Sequence, residues 1–461
     1  MTLISSRPVT RSASILSPEH RWVTIAAIAL VTLGAYENRA ITTILPVIAD
    51  DLDGLRWFGL ASAIPAATYL VATTVAGTWT DHRGPRRPLL FSLVLFALAQ
   101  IASGLAPSME VLLAARALSG IAEGGLDIAL VVLVSDLMPE ALRAKVFAAF
   151  ATAWIVPSLV GPAVAGGIAQ WLGWRAAFLL PLIMLIAVVP ALLPALRRAT
   201  ARGAREWSAS ERATIRAAAL VAGAIAMLTW GTSAGASGEF WGAAGAAAAL
   251  FVIAVRLAHV LPSGSLRGER GAPALVLATL LVSLAFSALG SYLPLLLATV
   301  RGASPAIAGV TLTITGIFWA VGSNVSSRDA VRARFSPGQV AAAGMAVMTL
   351  GGFGPLLLAL DVVSLPVAMG GWALAATGMG LVNNTLAVHL TVLVPDEERG
   401  RYLAGRTVAA AVGVAGATAL GGALVAREAD HLTAWPITIT VAAGILAALI
   451  TIPLARRVDV V

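Results

Sequence analysis

Fourteen apolar runs, most close to the ~20 residues that a helix needs to cross a bilayer, leave this chain few ways to fold. They lie near 22–48, 58–80, 88–106, 109–135, 145–170, 175–196, 213–231, 239–260, 273–299, 306–327, 338–360, 364–393, 402–426 and 433–455. With 59% hydrophobic and 12% charged residues, the composition excludes a soluble domain of this length. The expectation is an all-α membrane protein built as 6 + 2 + 6. A tail at 1–21 precedes a six-helix bundle at 22–196, a linker at 197–212 and two inserted transmembrane helices at 213–260. A second linker at 261–272, a second six-helix bundle at 273–455 and a tail at 456–461 complete it.

Arginine placement sets the orientation. Arg7, Arg11 and Arg21 precede the first run without a small-residue cleavage site, so 1–21 reads as a cytoplasmic tail. With that end inside, 25 of the 31 Lys and Arg are cytoplasmic, four lie outside (Arg56, Arg175, Arg301, Arg427), and Arg39 and Arg116 lie in the membrane. The reverse orientation would invert this bias, so both termini are expected in the cytoplasm. The same bias accounts for the net charge of +8 without any nucleic-acid partner.

Cysteine is absent and the five histidines show no ligand spacing, so neither a disulfide nor a metal site is expected. No run or loop pairs a nucleophile with a base or offers a phosphate-binding glycine loop, so an enzyme is not indicated. The loop LMPEALRAKVFAAF after the fourth run is echoed by LVPDEERGRYLAGR, aligning Pro139 with Pro395, Glu140 with Asp396 and Arg143 with Arg399. Internal symmetry of this kind belongs to secondary transporters, with sites near the midplane between repeats.

The fourth run, MEVLLAARALSGIAEGGLDIALVVLVSD, is apolar yet carries Arg116, Glu123 and Asp127, which share one helix face with Gly120. A charge at a bilayer centre costs at least ~2.5–3.5 kcal/mol, so such residues face a bundle interior or a wet cavity. Depth along the first and fourth helices at 1.5 Å per residue lets Glu37, Arg39 and Arg116 meet. Glu123 and Asp127 follow further inward as a relay. A static structural clasp is the plainer reading. No comparable charges are expected in the last six runs, whose polar candidates are Asn383, Asn384 and His389 as substrate-cavity residues.

Three motifs carry a resemblance. The loop GTWTDHRGPRRPL holds Gly77, Asp81, Arg83, Gly84, Arg86 and Arg87 and resembles the cytoplasmic signature of the major facilitator superfamily. There an acid at a helix end among arginines forms a gating latch. Its counterpart, GSNVSSRDAVRARF, keeps Gly322 and Arg328 but has Ser326 in place of the acid, which predicts a one-sided latch. The fifth run holds Pro157, Gly161, Pro162, Gly166 and Gly167, resembling the antiporter signature of exporters, in which small residues admit a partner helix and prolines kink the span. Arg116 with Gly120, and Glu37 nine residues before Pro46, resemble the fourteen-span drug:proton antiporters. Arg39, Glu123 and Asp127 depart from that pattern.

The resemblance implies the major facilitator fold and a proton-coupled antiporter exporting hydrophobic or amphipathic small molecules. Such a protein would be a multi-pass cell-membrane monomer, driven by the proton gradient with no cofactor. Its partners would be the substrate, protons and the lipid bilayer. Glu37, Glu123, Asp127, Arg116 and Arg39 would carry the proton coupling. A lipid or glycolipid flippase is the alternative on the same fold. Proton symport for uptake is opposed by the fifth-run motif, and a non-transporting receptor or scaffold would leave the buried acids without a role.

Overall fold

The computed structural model describes residues 14–199 and 207–459; among these it is helical, with no strand. The first group is α1 (Arg21–Asp51), α2 (Phe58–Arg83), α3 (Arg86–Gly104), α4 (Met109–Leu137), α5 (Glu140–Ala153), α6 (Ile155–Leu172) and α7 (Leu179–Arg198). Two helices follow, α8 (Ala209–Ala236) and α9 (Phe240–Val260). The second group is α10 (Ala272–Gly290), the short α11 (Leu293–Leu295), α12 (Pro305–Ser327), the short α13 (Asp329–Arg334), α14 (Pro337–Ala359), α15 (Leu365–Leu393), α16 (Asp396–Arg427) and α17 (Trp435–Ala455).

Local sequence explains the breaks. Pro157 cannot donate to the carbonyl one turn back, and the fifth run accordingly divides at Trp154 into α5 and α6. Its repeat counterpart α16 has no proline inside and runs 32 residues unbroken. α5 and α16 both start immediately after the aligned prolines, Pro139 and Pro395. At the signature loop Gly84 has φ +76°, a conformation other residues adopt only with strain, and its N–H closes α2 on the Thr80 carbonyl at 2.9 Å.

Twelve helices among the described residues are long and apolar enough to cross a membrane, α8 and α9 among them. α6 is a shorter apolar helix, and α1 carries Glu37, Asn38 and Arg39 within its length. By length and composition twelve helices are therefore candidates to cross, and the expected fourteen would need α1 and α6 as well.

The two groups are joined at the end away from the arginine-rich loops. There Ile44, Ile48 and Phe58 share one core with Tyr292, Leu293 and Leu296. The rings of Phe58 and Tyr292 lie 5.5 Å apart, and the Tyr292 hydroxyl donates to the Thr418 carbonyl at 2.5 Å. Toward the arginine-rich side the first group has a core of its own, including Leu30, Phe96, Leu130 and Leu192. Between the groups α6 lies along α12 and α2 along α16, while α8 packs on both α2 and α16. Lipid offers no hydrophobic drive for such contacts, so close packing of small residues does the work. Gly166 illustrates it, because a Cβ there would stand 2.8 Å from the Ala306 backbone nitrogen of α12.

Candidate transport site

α4 is drawn against α2 by glycine. A Cβ on Gly120 would overlap the Pro65 carbonyl and the Thr68 hydroxyl, and one on Gly124 would stand 2.7 Å from the Tyr69 carbonyl. This approach turns the polar stripe of α4 toward α1 and α2. Arg116 Nη1 donates to Glu37 Oε1 at 2.6 Å, and the Ser119 hydroxyl donates to the same oxygen at 3.0 Å. Glu37 is 2% exposed and Arg116 4%. Two of the three residues that depth arithmetic let meet are therefore an ion pair in the protein interior.

Glu123 lies about two turns further along the same face of α4, within electrostatic reach of Glu37, Arg116 and Asp127. Its Oε1 is buried without a hydrogen-bond partner. Asp127 accepts a hydrogen bond from the Tyr69 hydroxyl at 2.7 Å. Glu37 and Glu123 thus share the neighbourhood of one guanidinium, and Asp127 lies beyond Glu123 on Tyr69. Sequence reading missed Tyr69 and Gln100, the latter buried on α3 and within reach of Glu37. An isolated tyrosine or glutamine in an apolar run carries no signal until its partner is known.

Arg39 does not join the pair. It lines a cavity of about 590 Å³ with Trp154, Ser158, Thr315, Trp319 and Asn324, between the first and second groups. Gly161 packs against Tyr36 and the Cβ of Arg39, whereas a Cβ on Gly167 would meet nothing within 4 Å. Pro162 lies inside α6 and packs toward Gly309 of α12. The antiporter-like motif is the seam between the groups.

In the second group the polar candidates are tied to neighbouring helices. Asn384 Nδ2 donates to the Ser326 hydroxyl at 2.8 Å and the Ser327 hydroxyl at 3.1 Å. Arg406 Nη2 donates to Asn383 Oδ1 at 2.8 Å. Arg406 corrects the expectation that these runs lack interior charge: it is half-buried, with its Nε enclosed and unpartnered. It was missed because it sits about one turn inside the apolar run 402–426, where topology counting assigned it to the cytoplasm. His389, Asn384, Ser326, Arg332 and Phe335 line a separate cavity of about 410 Å³. The offset that aligns Pro139 with Pro395 also aligns α4 with α15 end to end. Asn383 then stands in the place of Asp127, Met379 in that of Glu123 and Trp372 in that of Arg116.

Of the signature-loop residues, Asp81, Arg83, Arg86 and Arg87 are exposed, Gly84 is buried and Gly77 is half-buried. Between Asp81 and Arg83, buried His82 meets Glu211 at 2.8 Å, fastening the end of α2 to the start of α8. Ser326, aligned with Asp81, instead accepts from Asn384 at its hydroxyl and from Arg332 at its carbonyl. On the outer side, hydrogen bonds from Trp174 and Arg175 hold the Asp51 carboxyl below the usual carboxylate range.

Comparison with known proteins agrees with this architecture. A probable multidrug-efflux transporter of Mycobacterium tuberculosis is 27% identical over 441 residues, covering 90% of this chain and 91% of that protein. The multidrug efflux pump LfrA of Mycolicibacterium smegmatis is 31% identical over 179 residues, 38% of this chain and 35% of that one. Among solved structures, a POT family transporter in complex with 5-aminolevulinic acid superposes with a TM-score of 0.68 at 15% identity, covering 95% of this chain and 96% of the other. A bacterial homologue of the human lysosomal transporter Spinster, inward-facing and unoccupied, gives 0.62 at 16% identity, covering 96% and 98%. The model of the Major Facilitator Superfamily matches residues 26–353, from the first helix through both sides of the seam and the inserted pair, and this multi-pass membrane transporter belongs to that superfamily.

Proposed function

We propose that the chain is a proton-coupled exporter of hydrophobic or amphipathic small molecules, working by alternating access between its two helix groups. One observation carries this reading: a single guanidinium, Arg116, serves an interior that also holds Glu37, Glu123 and Asp127. One arginine neutralises one carboxylate, and an uncompensated buried charge is costly. With Glu37 held by Arg116 and Asp127 hydrogen-bonded by Tyr69, a proton on Glu123 removes the one buried carboxylate charge that has no partner among the described residues and lets the site close. Opening toward the cytoplasm releases that proton through Asp127 and resets the pair. Each charge crossing the field gains ~2.3 kcal/mol per 100 mV, enough for more than a tenfold concentration ratio.

Export rather than uptake is favoured by the proline and glycine pattern of α6 and by relatives named as multidrug efflux proteins. In this reading α1 and α6 also cross the bilayer, giving fourteen spans with both termini cytoplasmic. The protein acts as a monomer on the proton gradient, without a cofactor. The test uses proteoliposomes with an imposed proton gradient, screened with cationic, neutral and acidic amphiphiles and a labelled phospholipid. Glu123→Gln with Asp127→Asn should abolish gradient-driven accumulation while equilibrium binding remains. Undiminished substrate-linked proton movement in that double variant would end the relay, and movement of the phospholipid alone would make the protein a flippase.

A further inference from the structure

The cavity between α1, α6 and α12 contains a cation that proton coupling, as just described, does not use. Arg39 lines it, its Nε is buried without a hydrogen-bond partner, and it forms no ion pair among the described residues. Helix geometry supplies the reason. Successive residues turn by about 100°, so Glu37 and Arg39, two apart, diverge by about 200°. The acid therefore reaches Arg116 on α4, and the guanidinium faces the opposite way, toward α6 and α12.

The other lining groups leave this charge uncompensated. No carboxylate lines the cavity. Thr315 spends its hydroxyl hydrogen on the Thr311 carbonyl at 2.7 Å, Ser323 on the Gly380 carbonyl at 3.3 Å, and Asn324 donates to the Ala320 carbonyl at 2.8 Å. Arg39 is thus the one charged group among the lining residues. Trp154 and Trp319 supply flat apolar walls, and about 590 Å³ is the size of a site for a drug-sized molecule. A guanidinium offers donors in a fixed fork that matches a carboxylate or phosphate, and it repels a cation placed in the same cavity.

We infer that Arg39 anchors an acidic group on the transported molecule, so that the substrate class is the amphipathic anion: one carboxylate, sulfonate or phosphate on an aromatic or alkyl body. The assignment rests on the export reading and narrows its substrates. The anion could be free in the cytoplasm or be the headgroup of an acidic phospholipid, and the chemistry at Arg39 is the same.

The experiment uses the full-length protein in detergent, without a proton gradient, and three probes sharing one ring: indole-3-butyrate, its amide and the corresponding amine. Calorimetric affinity should fall at least tenfold from acid to amide, about 1.4 kcal/mol, with the amine weakest. Arg39→Gln should bring the acid down to the affinity of the amide, and Arg39→Lys should restore part of the preference. Preference for the amine, equal affinity, or an acid preference that survives Arg39→Gln overturns the inference. A second measurement guards against variants that do not fold: phenylglyoxal modification of Arg39 in the unaltered protein, read by mass spectrometry. Indole-3-butyrate should slow it at least threefold and the amine should not; equal rates with all three probes again overturn the inference. Repeating it in nanodiscs with and without phosphatidylglycerol identifies the source, since protection by that lipid alone assigns the anion to a headgroup. Failure of the export reading is a separate outcome, visible only as missing gradient-driven flux in liposomes.

Discussion

Removing Arg116 should cost this protein more than removing Glu37, and the asymmetry follows from a third residue. The pair is 2.6 Å apart and almost fully buried. At an effective dielectric of about 20, Coulomb's law gives about 6 kcal/mol for two unit charges at that distance. Desolvation offsets part of it, and measured losses on breaking a buried pair from one side run to about 3–5 kcal/mol. Arg116→Gln should fall in that range, because it leaves Glu37 beside Glu123 with no cation. Glu37→Gln should cost less, because Arg116 can turn to Glu123. The double variant should recover at least about 2 kcal/mol relative to the sum of the singles, since neither charge is then stranded. The assay is reversible unfolding in mixed micelles of dodecyl maltoside and SDS, arranged as a double-mutant cycle. Additive singles, or a loss on Glu37→Gln equal to that on Arg116→Gln, would refute the shared-guanidinium account.

Other expectations follow from neighbouring contacts. Gly166→Ala pushes a Cβ into the α12 backbone and should lose about 1–3 kcal/mol, whereas Gly167→Ala, with open space around it, should stay within about 0.5 kcal/mol; similar losses at both would contradict the seam. Tyr69→Phe removes the donor to Asp127 and should cost about 1.5–3 kcal/mol in the same unfolding assay, with little change if that bond is absent in the membrane. Asp81→Asn, at an exposed position, should slow transport while leaving unfolding nearly unchanged, because an exposed carboxylate adds little to stability yet can bias a two-state gate; normal transport rates would remove the latch. A reporter active only in the cytoplasm should be silent when fused near Ser237 and active after Arg267, and activity at Ser237 would make α8 and α9 interfacial.

Much of the architecture is readable from local signals that add up along the chain. The length of an apolar run, the side on which arginines collect and the proline that breaks a helix act through the backbone and the bilayer, without reference to any distant residue. Run positions, the break near Pro157, the repeat joining Pro139 to Pro395 and the turn at Gly84 were legible for that reason. So was the superfamily, because its signature sits in one short loop.

Partner choice was not legible, because it depends on how each helix is rotated about its axis. Depth arithmetic could bring Glu37, Arg39 and Arg116 to one level, but it could not say that Arg39 points away from the other two, into the cavity between the groups. Arg406 looked cytoplasmic by position, and Asn383 was expected in the substrate cavity, until packing put one against the other. The same holds for Tyr69 with Asp127 and His82 with Glu211, pairs separated by 58 and 129 residues. Sequence alone determined that charges must be buried on the first and fourth helices; the tertiary structure added Arg406 on α16 and decided which charges are paired and which are left facing a cavity. The physical reason is that one residue of register turns a side chain by about 100°, and that angle is fixed by contacts between helices, the close approaches at Gly120 and Gly124 among them.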